Sequence, residues 1–208
     1  MKKRILAGLL AGILAAAAGG CRVVPYQDGI QHTQSEIDAR SAAFTSYDGQ
    51  FHVTAPSGWY DTGYTDEMIV LNLSSGDDLV YLSIYPEDKS YYMGYTLDDY
   101  ADEMQETWDV SRPVFSTPEY LTIDGAPARM ESMDCTIDGT SMRMWMYTQE
   151  FDDIFVQYVF GSTEENADRA EKTIEIIAQS IYRTGGYDYN DYNDDFYYYG
   201  DDQPGIAF

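Results

Sequence analysis

The alternation of apolar and polar positions divides the chain into a leader, a polar stretch, a patterned middle and an aperiodic end. The middle, residues 50–183, opens with a strand pattern at residues 51–55, stopped by a turn at Pro56-Ser-Gly58. Residues 68–73 and 79–85 flank the polar stretch 74–78 and predict a hairpin. The period then changes. Thr96 can cap a helix on which Leu97, Tyr100, Ala101, Met104 and Trp108 recur at steps of three and four, with Asp99 placed to complete a capping box. Strand patterns return at residues 119–123, 126–135 and 140–149, separated by Asp124-Gly125 and Asp138-Gly139, and again at 154–160. A second helix is expected over residues 164–181, capped by Ser162 or Thr163, with Ala167, Ala170, Ile174, Ile177, Ala178 and Ile181 on one stripe. Strands joined by tight turns, with two amphipathic helices to cover them, predict an α+β fold: an antiparallel β-sheet flanked by helices.

The leader has the parts of an export signal, with Lys2, Lys3 and Arg4 followed by an apolar run at residues 5–18, too short to span a bilayer. It ends Ala18-Gly19-Gly20-Cys21. This junction resembles the lipobox of bacterial lipoproteins, with Ala18 where that family usually has Leu. The resemblance implies cleavage before Cys21 and a diacylglyceryl group on its sulfur. Two acyl chains hold a protein at a membrane where one does not. The chain is therefore expected on the outer face of the bacterial cytoplasmic membrane. Residues 22–49 read as a polar tether, with a helical turn or two at residues 35–44 as an option.

Of the two cysteines, lipidation leaves only Cys135, so the domain is expected to rely on its core rather than on a disulfide. Cys135 reads as a small core residue, with no basic neighbour in sequence to activate it. The formal charge is −24, and loss of the three basic leader residues takes it to −27. Such a charge excludes nucleic acid as a partner and favours cations or basic, aromatic-rich protein or envelope partners.

Phe51-His-Val-Thr-Ala-Pro-Ser-Gly-Trp59 resembles the strand and Pro-x-Gly-Trp opening of PsbP-like proteins, a superfamily that includes a photosystem II extrinsic subunit and many bacterial lipoproteins. The Thr96–Tyr100 helix opening, the Ile123–Ala128 turn and the closing strand and helix follow the same order, so the resemblance spans residues 50–183. It implies an α/β/α sandwich and roles in binding or assembly, and it carries over no catalytic residue. The photosynthetic role is not transferred, because fold does not imply partner.

Candidate chemistry is sparse. His32 falls in the tether and His52 on a strand, and no nucleophile elbow, phosphate loop or zinc helix is present. The expectation is a non-enzymatic protein without cofactor. A carboxylate-dependent envelope hydrolase and a small-ligand or cation-binding module are the alternatives. The strand at 142–147 alternates, with Met142, Met144 and Met146 on one face, as core or an adaptable surface, and Trp145 and Tyr147 on the other. If no helix covers Trp145 and Tyr147, they offer aromatic area to a partner. The tail, residues 184–208, is read as disordered on its composition. Tyr187, Tyr189, Tyr192, Tyr197, Tyr198 and Tyr199 make it either an interaction segment or a passive extension. Asp188, Asp191, Asp194 and Asp195 are weak cation ligands. Counted as an EF-hand loop from Asp188, Asn193 and Tyr199 stand where Gly and Glu are required.

Overall fold

The computed structural model describes residues 41–63, 68–77, 79–108 and 110–185. The leader, Cys21, His32 and the tail tyrosines and aspartates lie outside these residues. No described helix is long and apolar enough to cross a membrane.

Among the described residues, eleven strands and two α-helices follow one another as β1 (Ser41–Thr45), β2 (Phe51–Pro56), β3 (Tyr60–Asp61), β4 (Leu71–Ser74), β5 (Tyr81–Asp88), α1 (Leu97–Thr107), β6 (Ser111–Phe115), β7 (Glu119–Ile123), β8 (Ala126–Ile137), β9 (Thr140–Glu150), β10 (Ile154–Thr163), α2 (Ala167–Ser180) and β11 (Tyr182–Arg183). The large sheet runs β3-β4-β5-β10-β9-β8-β6, and β7 also pairs with β8; β1, β2 and β11 form a small second sheet. Every pairing is antiparallel. The long β8 serves two neighbours, with β7 along residues 126–130 and β6 along residues 133–136.

Local chemistry accounts for the turns. Asp124-Gly125 and Asp138-Gly139 adopt positive φ at both residues (47° and 76°, 47° and 84°). Two-residue turns of that kind match the twist of flanking strands, and Asp-Gly tolerates the left-handed backbone. They set the registers Ile123↔Ala126 and Ile137↔Thr140. At α1 the capping box forms as expected: Thr96 accepts from the Asp99 backbone N–H, and Asp99 accepts from that of Thr96.

The central strands are buried on both faces, and a helix covers each. On one face, Ile154, Val156, Tyr158 and Phe160 of β10 pack with Trp145 and Tyr147 of β9, Leu82 and Ile84 of β5, and Phe51 and Val53 of β2. Ala167, Ala170, Ile174, Ile177 and Ala178 of α2 close this layer. Ser180 of α2 exchanges hydrogen bonds with the Thr54 backbone, which ties the helix to the small sheet. On the other face, Met133, Cys135, Met142, Met144, Met146 and Val159 form a second cluster, against which Trp108, Val110 and Phe115 pack. Tyr100 and Met104 of α1 pack beside Phe155.

α1 is fastened by charge as well as by packing. Arg129 of β8, 5% exposed, donates from Nη1 to Asp98 Oδ1 (3.1 Å) and from Nη2 to Asp102 Oδ1 and Glu131 Oε1 (2.7 Å each). Glu131, also buried, accepts from Gln105 Nε2. Burial opposes the charge on Arg129, but the hydrogen bonds to Glu131 and Asp102 outweigh it and hold the guanidinium more firmly protonated than usual.

Several expectations need correction. β1, Ser41–Thr45, lies inside the segment read as tether, and residues 41–44 are strand rather than helical turn. Phe44 packs against the core, and β1 pairs along β2 from Ser41↔Pro56 to Thr45↔His52, so long-range pairing overrides a locally helix-compatible sequence. β3, β6 and β11 lie outside the expected strands. β6 contains Pro113, a register shift and Arg112 at φ 59°, which leaves no alternating pattern to read. Neither Ser162 nor Thr163 caps α2: a 3-10 turn at Glu164–Asn166 intervenes, and Asn166 occupies the cap position without a side-chain cap bond.

Two predictions follow from this packing. Arg129→Met strands buried Glu131 without its cation and is expected to cost about 3–5 kcal/mol. Arg129→Met with Glu131→Met is expected to recover much of that in urea unfolding. Tyr100 and Tyr158 are buried and their hydroxyls are pushed up, by burial first and then by Glu87 and Asp124 respectively. Their contribution to stability is full below the ordinary tyrosine pKa of about 10 and is lost as pH rises above it. Tyrosinate absorbance and circular dichroism followed together into alkali are expected to show the exposed tyrosines ionising first and these two only with unfolding.

Candidate interaction surface

The sequence candidates that fall among the described residues go mostly to the interior. Trp145 and Tyr147 are 2% and 3% exposed. α2 covers them, so the aromatic face proposed as a binding surface is core, and its partner is the helix. Met142, Met144 and Met146 are likewise core, on the α1 side of the sheet. Cys135 is buried there, and burial, with the charge of Asp134, pushes its thiol up to about 11, away from the reactive thiolate. His52 stacks on Tyr182 at 4.8 Å between ring centroids, and its nitrogens lie against the Thr45 and Thr184 hydroxyls. Among the described residues no group of three or more His, Cys, Asp or Glu is placed to hold a metal.

What the surface does present gathers at the N-terminal end of α1. The helix reads Leu-Asp-Asp-Tyr-Ala-Asp-Glu-Met-Gln-Glu-Thr and carries no basic residue. Its apolar positions face the sheet, so its outer face is acidic. The connection from β5 into it, a 3-10 turn at Lys89–Tyr92 and the residues after it, exposes Tyr91 and Met93 widely and Tyr95 in part. Tyr120 on β7 is 65% exposed, pairs across the ladder with Arg129 and donates from its hydroxyl to Asp98 Oδ1 (2.8 Å).

Tyr95 and Tyr120, with the inner Tyr92 and Tyr100, are held by their tips. Tyr95 donates to Glu103 Oε2 (2.6 Å), and Tyr92 and Tyr100 both donate to Glu87 Oε2 (2.9 and 2.6 Å). Tyr100 stacks on Phe155 at 4.4 Å, and Tyr92 meets both edge-on, so a chain of rings runs from the surface into the core. The hydroxyls bonded to carboxylates are all held protonated. Burial leads for Tyr92 and Tyr100, and the carboxylate hydrogen bond leads for Tyr95 and Tyr120. Such a surface offers oriented ring faces and unneutralised carboxylates together, which suits cationic and aromatic groups.

The sequence does contain a trace of this surface. Arg129 and Glu131 occupy inward positions of a strand otherwise lined by apolar residues, a pattern that predicts a buried ion pair. Asp98 and Asp102, four apart on a capped helix, share one face. That the three carboxylates converge on Arg129, with Tyr120 bonded to Asp98 beside them, depends on how α1 crosses β8.

No protein-family model and no curated protein sequence matches the chain. Solved structures do resemble it. The PsbP of the cyanobacterium Synechocystis sp. PCC 6803 is 13% identical at a TM-score of 0.53, over 81% of this chain and 99% of that one. LpqN of Mycobacterium tuberculosis, described as involved in cell envelope biogenesis, is 10% identical at 0.51, over 76% and 100%. A protein of Bacteroides thetaiotaomicron is 13% identical at 0.51, over 70% of this chain and 49% of that longer one. At such identities the likeness concerns the fold alone. An antiparallel sheet with a helix on each face, matched along nearly the whole length of the cyanobacterial and mycobacterial proteins, is a PsbP-like fold, and this chain has it.

Proposed function

We propose that this chain is a lipid-anchored, extracytoplasmic binding protein of the bacterial envelope, without catalytic activity, that docks a basic or aromatic-rich protein through the surface at the N-terminal end of α1. The observation that carries this reading is the exposure of Tyr91, Met93, Tyr95 and Tyr120 around a helix whose outer face is acidic. Large exposed apolar side chains rimmed by charge are typical of binding surfaces, and tyrosine is among the residues that dominate their energetics. Residues 1–21 support the location: a basic start, a short apolar run and a cysteine after two glycines. Diacyl attachment at Cys21 would hold the domain at the membrane, and the net negative charge would lift it from an anionic surface. LpqN, of the same fold, is described as involved in cell envelope biogenesis, which is consistent with such a setting. The tail tyrosines would add contacts to the same partner, since an aromatic acidic segment can order on binding.

Two experiments test the reading. Cys21→Ser is expected to abolish labelling by a radioactive fatty acid and to move the protein from the detergent phase to the aqueous phase; retained label would overturn the anchor. Cross-linking in native membranes is expected to capture a specific partner with the wild-type chain and to lose it as salt rises from 0.15 M to 1 M, where the screening length falls from about 8 Å to about 3 Å. Truncation after Arg183 is expected to weaken the capture, and equal capture by both forms would remove the tail from the interface.

A further inference from the structure

The clamp that fastens α1 leaves a charge imbalance at the surface. Arg129 is one cation among three carboxylates, Asp98, Asp102 and Glu131. Glu131 is buried and engaged by both Arg129 and Gln105. Asp98 and Asp102 are different: their side chains are 52% and 67% exposed. Each meets the guanidinium through Oδ1 alone, so Oδ2 of each takes no part in the clamp. Four residues apart on a helix, the two side chains leave it as neighbours, with Cβ atoms about 5–6 Å apart.

The ring of Tyr120 is fixed beside them. Its hydroxyl donates to Asp98 Oδ1, and its ladder partner is Arg129, which anchors the ring at both base and tip while leaving it 65% exposed. A pre-oriented aromatic ring next to two partly neutralised carboxylates is selective among cations. The ring is no metal ligand. It does attract a guanidinium, which stacks on aromatic faces, is more weakly hydrated than an ammonium and presents a planar fork to carboxylate oxygens.

We propose that Asp98, Asp102 and the Tyr120 ring form a receptor for an arginine side chain of a partner protein. The inference rests on the reading of the α1 surface as a docking site and names what that site selects. The partner's guanidinium stacks on Tyr120 and takes the outer oxygens of the two aspartates, completing outside the clamp the neutralisation that Arg129 begins inside it. Tyr91, Met93 and Tyr95, on the connection leading into the same end of α1, supply apolar area for the residues around that arginine.

The test is calorimetric titration of the full chain, purified from membranes in detergent, with a short glycine peptide carrying two arginines and with lysine and citrulline counterparts. The arginine peptide is expected to bind saturably, the lysine peptide severalfold more weakly and the citrulline peptide not at all. Tyr120→Leu, which spares the aspartates and Arg129, is expected to weaken the arginine peptide by about threefold to tenfold. Tyr120→Phe keeps the ring and is expected to retain most of the affinity. Glu171→Gln with Glu175→Gln, exposed on α2 across the sheet, is expected to leave it unchanged. Equal binding of lysine and arginine, equal loss in the α2 variant, or no saturable binding would overturn the receptor. The Tyr120→Leu chain is also cross-linked in native membranes. If it captures the wild-type partner undiminished, docking occurs elsewhere and this inference falls while the interaction role stands. If the peptides behave as expected and the wild type captures no partner, the receptor stands and the role falls.

Discussion

β9 and β10 have no solvent face, and the rest of the architecture answers to that constraint. Along β10 every residue from Ile154 to Ser162 is buried, and along β9 every residue from Met144 to Gln149. Strands at the centre of a sheet with apolar groups on both sides require a cover on both sides. α2 and the small sheet supply one; α1 with the connection that follows it supplies the other. Among the polar side chains that fall within these strands, the Trp145 indole N–H has no hydrogen-bond partner, whereas the buried amides are satisfied internally. Tyr158 donates to Gln149, and Gln149 donates to the Ile123 carbonyl, so no buried amide or hydroxyl of that set is left without a partner.

The two covers are attached by different physics. α2 presents a stripe of Ala and Ile to an apolar layer, so the hydrophobic effect dominates its docking, with the Ser180 hydrogen bonds to Thr54 at its C-terminal end. α1 is shorter and buries only Leu97, Tyr100, Ala101 and Met104. Its remaining attachments are polar: the guanidinium of Arg129 reaches up from β8 to Asp98 and Asp102, and hydrogen bonds run from Gln105 to Glu131, from Tyr100 to Glu87 and from Tyr120 to Asp98. An ion cluster of this kind adds less net stability than apolar packing of the same size, because each charge is first removed from water. It adds orientation instead, since a guanidinium fork bonded to three carboxylates allows few positions for the helix.

That difference decides which helix is suited to recognition. The outer face of α2 mixes Lys172 and Arg169 with acids, whereas α1 has acids only and is bordered by tyrosines tethered to them. Holding tyrosine rings by their hydroxyls lowers the entropy lost when a partner settles on them, which favours affinity without further contacts. The clamp and the surface are thus one structure: the carboxylates that fix α1 to the sheet also give its outer face its charge and its rings their orientation.

Local signals in the chain were enough for the elements whose determinants are local. The Asp-Gly turns fix two hairpin registers by backbone preference, Thr96 and Asp99 cap α1 across one turn, and the Ala and Ile stripe of α2 declares a buried face. The opening Phe51–Trp59 and the order of later elements were enough for the fold. Edge strands were not legible, because β1, β6 and β11 gain their structure from neighbours distant in sequence, and their own patterns are short or broken by proline. The surface was not legible for a related reason. A strand's alternation says that Met144 and Trp145 point to opposite faces, but only the placement of α2 shows that Trp145 is covered. The meeting of Asp98, Asp102, Tyr120, Arg129 and Glu131 joins a helix to two strands, and its geometry is set by how α1 lies across β8. Sequence by itself determined the central elements and their class, because hydrogen-bonded turns, caps and periodicities act over a few residues. Tertiary structure alone decided what is covered and what is offered to a partner, because burial depends on every layer of the fold at once.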